Sequence, residues 1–137
     1  MNTNKKGDIG LANIILDTLS KRFFVFLPFS DTTHVDLIIA DEKMKMYRVQ
    51  VKYMKIDKFG ALNICTSTVV NGKKVPMDLS QIDVWAIYCS DNNQIYYIPT
   101  KKLIGKKYLS LRIKKPKQIQ KTIHYAHDYL NIEDALI

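Results

Sequence analysis

Three polar side chains on two neighbouring apolar segments have the chemistry that phosphodiester hydrolysis needs. Asp36 lies within Val35–Ile39, and Gln50 and Lys52 lie within residues 45–54. Because side chains alternate along a strand, Gln50 and Lys52 point to the same face. An Asp and a second oxygen ligand suit a hard cation such as Mg²⁺. A Lys beside them can orient the attacking water or neutralise charge that develops on the phosphate. The pattern predicts a hydrolytic magnesium site.

Each of these residues also has a simpler interpretation. Asp36 could cap a neighbouring backbone amide at a strand end, Gln50 could be an exposed strand residue, and Lys52 could be a solvated surface lysine. An unpartnered carboxylate inside an apolar strand is costly, however, and the Gln-x-Lys strand offers partners for it. We therefore favour the metal interpretation. Since Gln50 is neutral, magnesium affinity should be weaker than with a second carboxylate.

Hydrophobic periodicity predicts the elements that position these residues, and their order predicts an α/β protein with a sheet of mixed direction. The predicted elements are a helix over 7–21, strands over 23–27, 34–40, 45–54 and 61–67, a hairpin turn at Asn71-Gly72, strands over 84–89 and 94–98, and a helix over 119–130. Asp8 opens the first helix, where a helix-capping role is favoured over a catalytic one.

Composition predicts a single folded domain over residues 1–137, since 47% of the residues are hydrophobic. Neither a secretory h-region nor an apolar run of bilayer length is visible, so no membrane association is expected. Cys65 and Cys89 lie in apolar runs without zinc-ligand spacing, which favours reduced thiols over a structural disulfide and a cytoplasmic, intracellular protein.

The formal net charge of +8 and the pI near 9.4 favour a polyanionic partner. Residues 101–121 carry nine Lys or Arg and no acid. A solvated face is the simpler explanation of one charge run, but a basic block beside a phosphodiesterase site favours double-stranded DNA. The lysines expected to contact DNA are Lys5, Lys6, Lys55, Lys58, Lys73, Lys74, Lys101, Lys102, Lys106 and Lys107. Lys73 and Lys74 belong to the hairpin around Asn71-Gly72, which could enter the major groove or be an ordinary solvated turn.

Motifs across nearly the whole chain resemble the PD-(D/E)XK nuclease superfamily, and more narrowly its small homing endonucleases associated with group I introns. The matching segments are Lys6-Gly7-Asp8-Ile9-Gly10, Val25 to Pro28, Val35-Asp36-Leu37-Ile38, Arg48-Val49-Gln50-Val51-Lys52, Ile82-Asp83-Val84-Trp85-Ala86 and Tyr96-Tyr97-Ile98-Pro99. In those homing endonucleases a Gln replaces the second acid of the motif, as Gln50 does here.

The resemblance implies a restriction-endonuclease-like core, a central mixed β-sheet flanked by α-helices, and Mg²⁺-dependent (or Mn²⁺-dependent) cleavage of double-stranded DNA by a homodimer or homotetramer. By correspondence, Asp36, Gln50 and the backbone carbonyl of Val51 would hold the metal, and Lys52 would be the catalytic lysine. Many relatives have a Glu directly after the second Gly of helix one, where this chain has Leu11. Asp8, one turn earlier, could take the place of that acid.

Three functions are consistent with these residues. The leading expectation is a site-specific homing-type endonuclease. A Holliday-junction resolvase would keep the core and recognise DNA shape. A DNA-binding module that has lost activity with the helix-one Glu would bind DNA without cutting it.

Overall fold

The computed structural model describes residues 1–118 and 122–137. Within them the chain forms one long helix, ten strands and a short C-terminal helix. In chain order these are α1 (Thr3–Ser20), β1 (Phe24–Phe26), β2 (Leu37–Ala40), β3 (Met46–Met54), β4 (Ala61–Cys65), β5 (Ser67–Val70), β6 (Lys73–Pro76), β7 (Val84–Cys89), β8 (Gln94–Pro99), β9 (Tyr108–Arg112), β10 (His124–Tyr125) and α2 (Ile132–Ala135).

The first helix begins four residues before the predicted start because Asn2 caps it. The Asn2 side-chain oxygen accepts a hydrogen bond from the Lys5 amide at 2.8 Å, which satisfies one of the free amides of the first turn. Asp8 therefore lies inside α1 rather than at its cap, so the expected capping role is wrong. Gly10 lets the helix approach the sheet closely, since a Cβ there would lie 3.4 Å from the Cβ of Tyr53.

The central sheet has the strand order β1-β2-β3-β7-β8. β3 and β7 run parallel, and the other neighbouring pairs are antiparallel. The predicted mixed α/β architecture is thus confirmed. All six residues of β7 are buried, as expected of a strand covered on both faces.

Two apolar clusters lie on the two faces of this sheet. On one face, Ile14 of α1 packs with Val49 and Val51 of β3. On the other, Leu62 and Ile64 of a second sheet, ordered β10-β9-β4, pack with Trp85 and other residues of the central sheet. The polar side chains of β3 alternate with Val49 and Val51, so they lie on the face of the second sheet.

Three sequence predictions need correction. The helix expected over 119–130 is wrong: its described part contains β10 and a 3-10 turn at Ala126–Tyr129, and residues 119–121 lie outside the described residues. The strand expected over 61–67 divides into β4 and the start of β5. β9 was not predicted. The hairpin turn is confirmed, with φ of 51° at Asn71 and 76° at Gly72, as tight two-residue hairpins require.

Candidate nuclease site

Asp36 lies where the β2–β3 ladder ends. The last paired residues are Leu37 and Val49, and the Asp36 amide donates to the Val49 carbonyl at 2.9 Å. Two residues further along β3, the Val51 amide has no β2 residue opposite it and donates instead to Asp36 Oδ2 at 2.7 Å. Asp36 therefore caps a backbone amide, as its simpler interpretation proposed, and in doing so it is fixed against β3.

Gln50 adjoins Asp36 and has one oxygen free. Its Nε2 donates to Asp36 Oδ2 at 2.9 Å and lies 3.3 Å from the Val51 carbonyl oxygen. Its Oε1 is buried and has no hydrogen-bond partner among the described residues. A buried acceptor without a donor is costly, and a cation at this position would satisfy it.

The three predicted ligands therefore meet at one point of the sheet edge. The Asp36 carboxylate, the Gln50 amide and the Val51 carbonyl belong to one hydrogen-bonded group. All three are oxygen donors, the type that Mg²⁺ and Mn²⁺ prefer. Within the described residues no cluster of three or more His, Cys, Asp or Glu could hold a metal. A cation here would thus rely on one carboxylate and neutral oxygens.

Burial sets the electrostatics of Asp36. Desolvation raises its pKa above the ordinary value, against the lowering effects of the Val51 amide, Lys52 and His34. The carboxylate is therefore short of positive charge even with a lysine nearby. A divalent cation would supply that charge, so the donor set fits the group that the sequence predicted.

Lys52 is the third member of the site and shares the face of Gln50. Its ammonium nitrogen lies 5.7 Å from the ring centroid of Trp85, within the range of a cation–π contact. Trp85 is fully buried and lies beside Gln50 in the β3–β7 register. In the sequence, Trp85 stands in the apolar run of β7, which indicates only a buried strand position. Its contact with Lys52 could not be foreseen because it depends on the register of two strands separated by a long crossover.

Arg48 and Asp83 form a second polar contact at the start of the same two strands. The Asp83 carboxylate accepts bonds from Arg48 Nε at 3.0 Å and Nη2 at 2.9 Å, and from the Arg48 amide at 2.8 Å. These bonds hold the pKa of Asp83 below its usual range. Both residues stood in the family-like segments, but no feature of the sequence indicated that they pair.

Asp8 is placed apart from the other candidates. It is exposed in α1, and α1 packs on the sheet face opposite Gln50 and Lys52. No hydrogen bond or ion pair joins the Asp8 carboxylate to another described residue. Leu11 is half-buried and packs into the apolar cluster with Val49 and Val51. At the position where many relatives have an acid in helix one, this chain thus has an apolar side chain that packs against the core.

The candidate DNA-binding lysines are exposed, except the half-buried Lys6. The hairpin and the segment before β9 adjoin each other, since Thr66 Oγ1 donates to the Lys106 carbonyl at 2.6 Å and the Thr66 amide to the Lys107 carbonyl at 3.0 Å. Lys74 Nζ donates to the Tyr108 hydroxyl at 2.6 Å. Lys74, Lys106 and Lys107 therefore lie in one basic region, and Lys73 extends from the other face of the same hairpin.

A second basic surface is a groove of about 1040 Å³ on the outer side of β4 and β9. Of the lysines expected to contact DNA, Lys58 lines this groove, and its other basic residues come from the later part of the basic segment 101–121. Its charged lining residues are Asp57, Lys58, Arg112, Lys114, Lys115 and Lys117. Lys121, at the end of the basic block, lies outside the described residues. Lys5 and Lys6 lie in the first turns of α1, an element that belongs to neither of these two surfaces.

Comparison with known proteins adds two findings. A family model described as PD-(D/E)XK endonuclease matches residues 1–132. The fold is similar to that of a bacterial homing endonuclease, I-Ssp6803I, with a TM-score of 0.73 and 18% sequence identity, over 94% of this chain and 88% of that one. No curated protein matches the sequence. Among the described residues, no helix is long and apolar enough to cross a membrane.

Proposed function

Because this chain belongs to the PD-(D/E)XK endonuclease family, whose members hydrolyse phosphodiester bonds in DNA, we propose that it is a site-specific, Mg²⁺- or Mn²⁺-dependent endonuclease of the homing type that cuts double-stranded DNA. The observation that carries the proposal is the buried, unpartnered Oε1 of Gln50 beside the desolvated Asp36 carboxylate. The similarity to a bacterial homing endonuclease supports the narrower type.

Each residue has a distinct role in this proposal. Asp36, Gln50 and the Val51 carbonyl would hold the cation. Gln50 Nε2 faces both Asp36 and the Val51 carbonyl, so the amide group would turn over to present Oε1 to a cation that those two oxygens share. A bound cation would supply Lewis-acid stabilisation of the phosphate and lower the pKa of water. Lys52 would orient the attacking water or neutralise charge on the phosphate in the transition state. Its packing on Trp85 limits the positions that its ammonium group can take.

The DNA would be held by the basic surfaces. Lysines at the hairpin and at the segment before β9 would contact phosphates, with an affinity that falls as salt rises. The β5–β6 hairpin is the candidate for base contacts, since a two-stranded ribbon fits the major groove. One chain carries one site, so cleavage of both strands would use at least two chains, as a homodimer or homotetramer.

Plasmid cleavage tests the proposal. Supercoiled DNA containing the target site should be cut with Mg²⁺ or Mn²⁺ and remain intact with a chelator. Asp36→Asn and Lys52→Ala should each slow cleavage by about 10²–10⁴-fold, the usual effect of removing one catalytic group. Asp31→Asn and Lys45→Ala, at exposed positions outside the site, are the matched controls. Wild-type rates for both site variants would refute the assignment.

Leu11 supports a second candidate, a DNA-binding module with weakened catalysis. Its side chain packs into the apolar cluster where many relatives carry an acid. This candidate predicts retention of target DNA in an electrophoretic shift without cleavage, at any Mg²⁺ or Mn²⁺ concentration. Cleavage that depends on Asp36 would exclude it.

A further inference from the structure

The turn before β4 holds an aromatic side chain in solvent. Phe59 is 68% exposed and lines the basic groove on the outer side of β4 and β9. Its backbone is fixed, since the Phe59 amide donates to Asp57 Oδ1 at 2.9 Å and the Phe59 carbonyl accepts from Arg112 Nη2 at 2.7 Å. The next carbonyl, that of Gly60, accepts from the Lys114 amide at 3.0 Å. An anchored turn therefore presents the ring to the groove.

Cations surround this ring. The charged residues that line the groove are five cations and one carboxylate, a net charge of +4. The carboxylate, that of Asp57, already accepts hydrogen bonds from the amides of Phe59 and Ala61. Lys58 Nζ lies 5.1 Å from the Phe59 ring centroid and covers one face of the ring. No other described residue makes an aromatic or cation–π contact with the ring. The groove thus combines positive charge with a free aromatic face.

Polar side chains with unused hydrogen-bonding groups also line the groove. Asn63 of β4 and Ser110 of β9 are partners in the strand register, and both are exposed on its side of the sheet. Neither side chain forms a hydrogen bond with another described residue. A carboxamide and a hydroxyl can each donate and accept, which suits the edges of nucleobases. Leu62 and Leu111, their strand neighbours, point into the core and hold the two strands in place.

From these features we propose that the groove binds single-stranded nucleic acid and that Phe59 stacks on an unpaired base. Positive charge along a groove together with an exposed aromatic ring is the combination by which proteins hold single strands. A duplex would contact only the cations, because the faces of its paired bases are stacked on one another and closed to the ring. Strand binding here requires no bond cleavage. It is therefore independent of the proposed nuclease activity, whose residues belong to β3 of the central sheet and to the segment before β2.

Fluorescence anisotropy of a labelled oligonucleotide, measured in chelator so that no strand is cut, tests the groove. The probes are an unstructured DNA strand, the same sequence as RNA, and the DNA strand annealed to its complement. Phe59→Ala should weaken single-strand binding about 5- to 150-fold, since one base stacked on an aromatic ring is worth about 1–3 kcal/mol. Its affinity for the duplex should change by less than about twofold, because phosphate contacts dominate there. Leu16→Ala, at an equally exposed position on α1, is the matched control and should bind every probe as the wild type does.

Tryptophan emission reports the stacking itself. Trp85 is the single tryptophan of the chain and is fully buried. Phe59→Trp therefore adds an exposed indole and keeps an aromatic ring in the groove. This variant should bind the single strand at least as tightly as the wild type, and its emission should fall when the strand is added. Leu16→Trp is the matched control, and its emission should not change.

Salt dependence tests the cations of the groove. Lys115→Ala/Lys117→Ala should reduce the slope of log K against log salt for the single strand by about 1.4, since each phosphate contact contributes about 0.7. Lys43→Ala/Lys45→Ala, a pair of exposed lysines outside the groove, is the matched control and should leave the slope unchanged.

The outcomes are distinct once urea unfolding has shown that each variant is folded. Wild-type affinity of Phe59→Ala for the single strand, or unchanged emission of Phe59→Trp, would overturn the proposal. An equal loss on single strand and duplex would overturn it too, since Phe59 would then contact duplex DNA. Binding of either DNA or RNA through Phe59 supports it, and their ratio shows which backbone is preferred. A chain that cuts no plasmid should still bind the single strand, so failure of the proposed function is recognised separately.

Discussion

Replacing Gln50 with Glu restores the second acid of the family motif and gives a sharp test of the site. Gln50 Nε2 lies 2.9 Å from Asp36 Oδ2 and donates to it. A carboxylate at Gln50 loses that bond and places two negative oxygens about 3 Å apart. At an effective dielectric of 20, such a pair repels by about 5 kcal/mol. The metal-free variant should therefore be less stable than the wild type.

Protonation limits the loss of stability. A carboxyl with an ordinary pKa near 4 takes up a proton at pH 7 for about 4 kcal/mol, and the raised pKa of Asp36 lowers this cost. We expect the free energy of unfolding at pH 7 in chelator to fall by about 2–3 kcal/mol. Because the shared proton binds more tightly in the folded variant, its stability relative to wild type is highest at low pH. The deficit should therefore shrink towards pH 5.

A divalent cation reverses the sign of the effect. Two carboxylates attract Mg²⁺ more strongly than a carboxylate and an amide, so Gln50→Glu should bind it about tenfold more tightly. Urea unfolding with chelator and with Mg²⁺, together with calorimetric titration of Mg²⁺, measures both quantities. Gln94→Glu, at an exposed position on β8, is the matched control. An unchanged metal-free stability together with an unchanged Mg²⁺ affinity would refute the proposed arrangement of Asp36 and Gln50.

The remaining predictions concern stability and DNA affinity. Asp83→Asn should lower the free energy of unfolding by only about 1 kcal/mol at pH 7, since the partly exposed ion pair is screened by solvent. The pKa of Asp83 is lowered in the folded protein. Urea unfolding should therefore show that the difference between variant and wild type vanishes as the pH falls below about 4. Lys74→Ala and Lys107→Ala should each weaken DNA binding about equally for all sequences and reduce the slope of log K against log salt by about 1 in a titration followed by fluorescence anisotropy; a sequence-dependent loss would contradict a phosphate contact. Asn2→Ala should lower the melting temperature through loss of a cap that is worth about 1 kcal/mol, and an unchanged value would show that the first turn is not coupled to the fold.

The elements that sequence predicted best are those with a single strong pattern. β7 is an unbroken apolar run, and β3 alternates cleanly, so both were placed within a residue or two. β9 was missed because the alternation of Leu109 and Leu111 is short and surrounded by lysines. The apolar spacing near the C-terminus imitated a helix, but His124 and Tyr125 pair with β9 instead. Pairing with the preceding strand thus outweighed the helical spacing of the local apolar residues.

In the site, contacts between strands close in sequence could be predicted, whereas contacts between strands far apart in sequence could not. Asp36 and Gln50 could be brought together because β2 and β3 form an antiparallel pair joined by a short turn, whose register the apolar pattern restricts. The parallel β3–β7 pair is joined through β4, β5 and β6, so its register could not be derived. For that reason the Trp85 contact of Lys52 and the Asp83 contact of Arg48 became evident only in the folded structure.

One face of β3 contributes to the apolar core and the other carries the polar site, which explains how a small domain can be stable and still hold such a site. Val49 and Val51 are buried under α1 and supply stability. Arg48 is paired with Asp83, and Lys52 packs on Trp85, so Gln50 Oε1 is left as the unsatisfied polar atom of the described strand. The unsatisfied group therefore coincides with the position where the family motif requires a ligand. A leucine at Gln50 should remove the orphaned oxygen together with the donor to Asp36 Oδ2, so it should cost about 1–3 kcal/mol in chelator and abolish the stabilisation that Mg²⁺ gives to the wild type. A purely structural role for Gln50 would predict the same loss in chelator with an undiminished response to Mg²⁺.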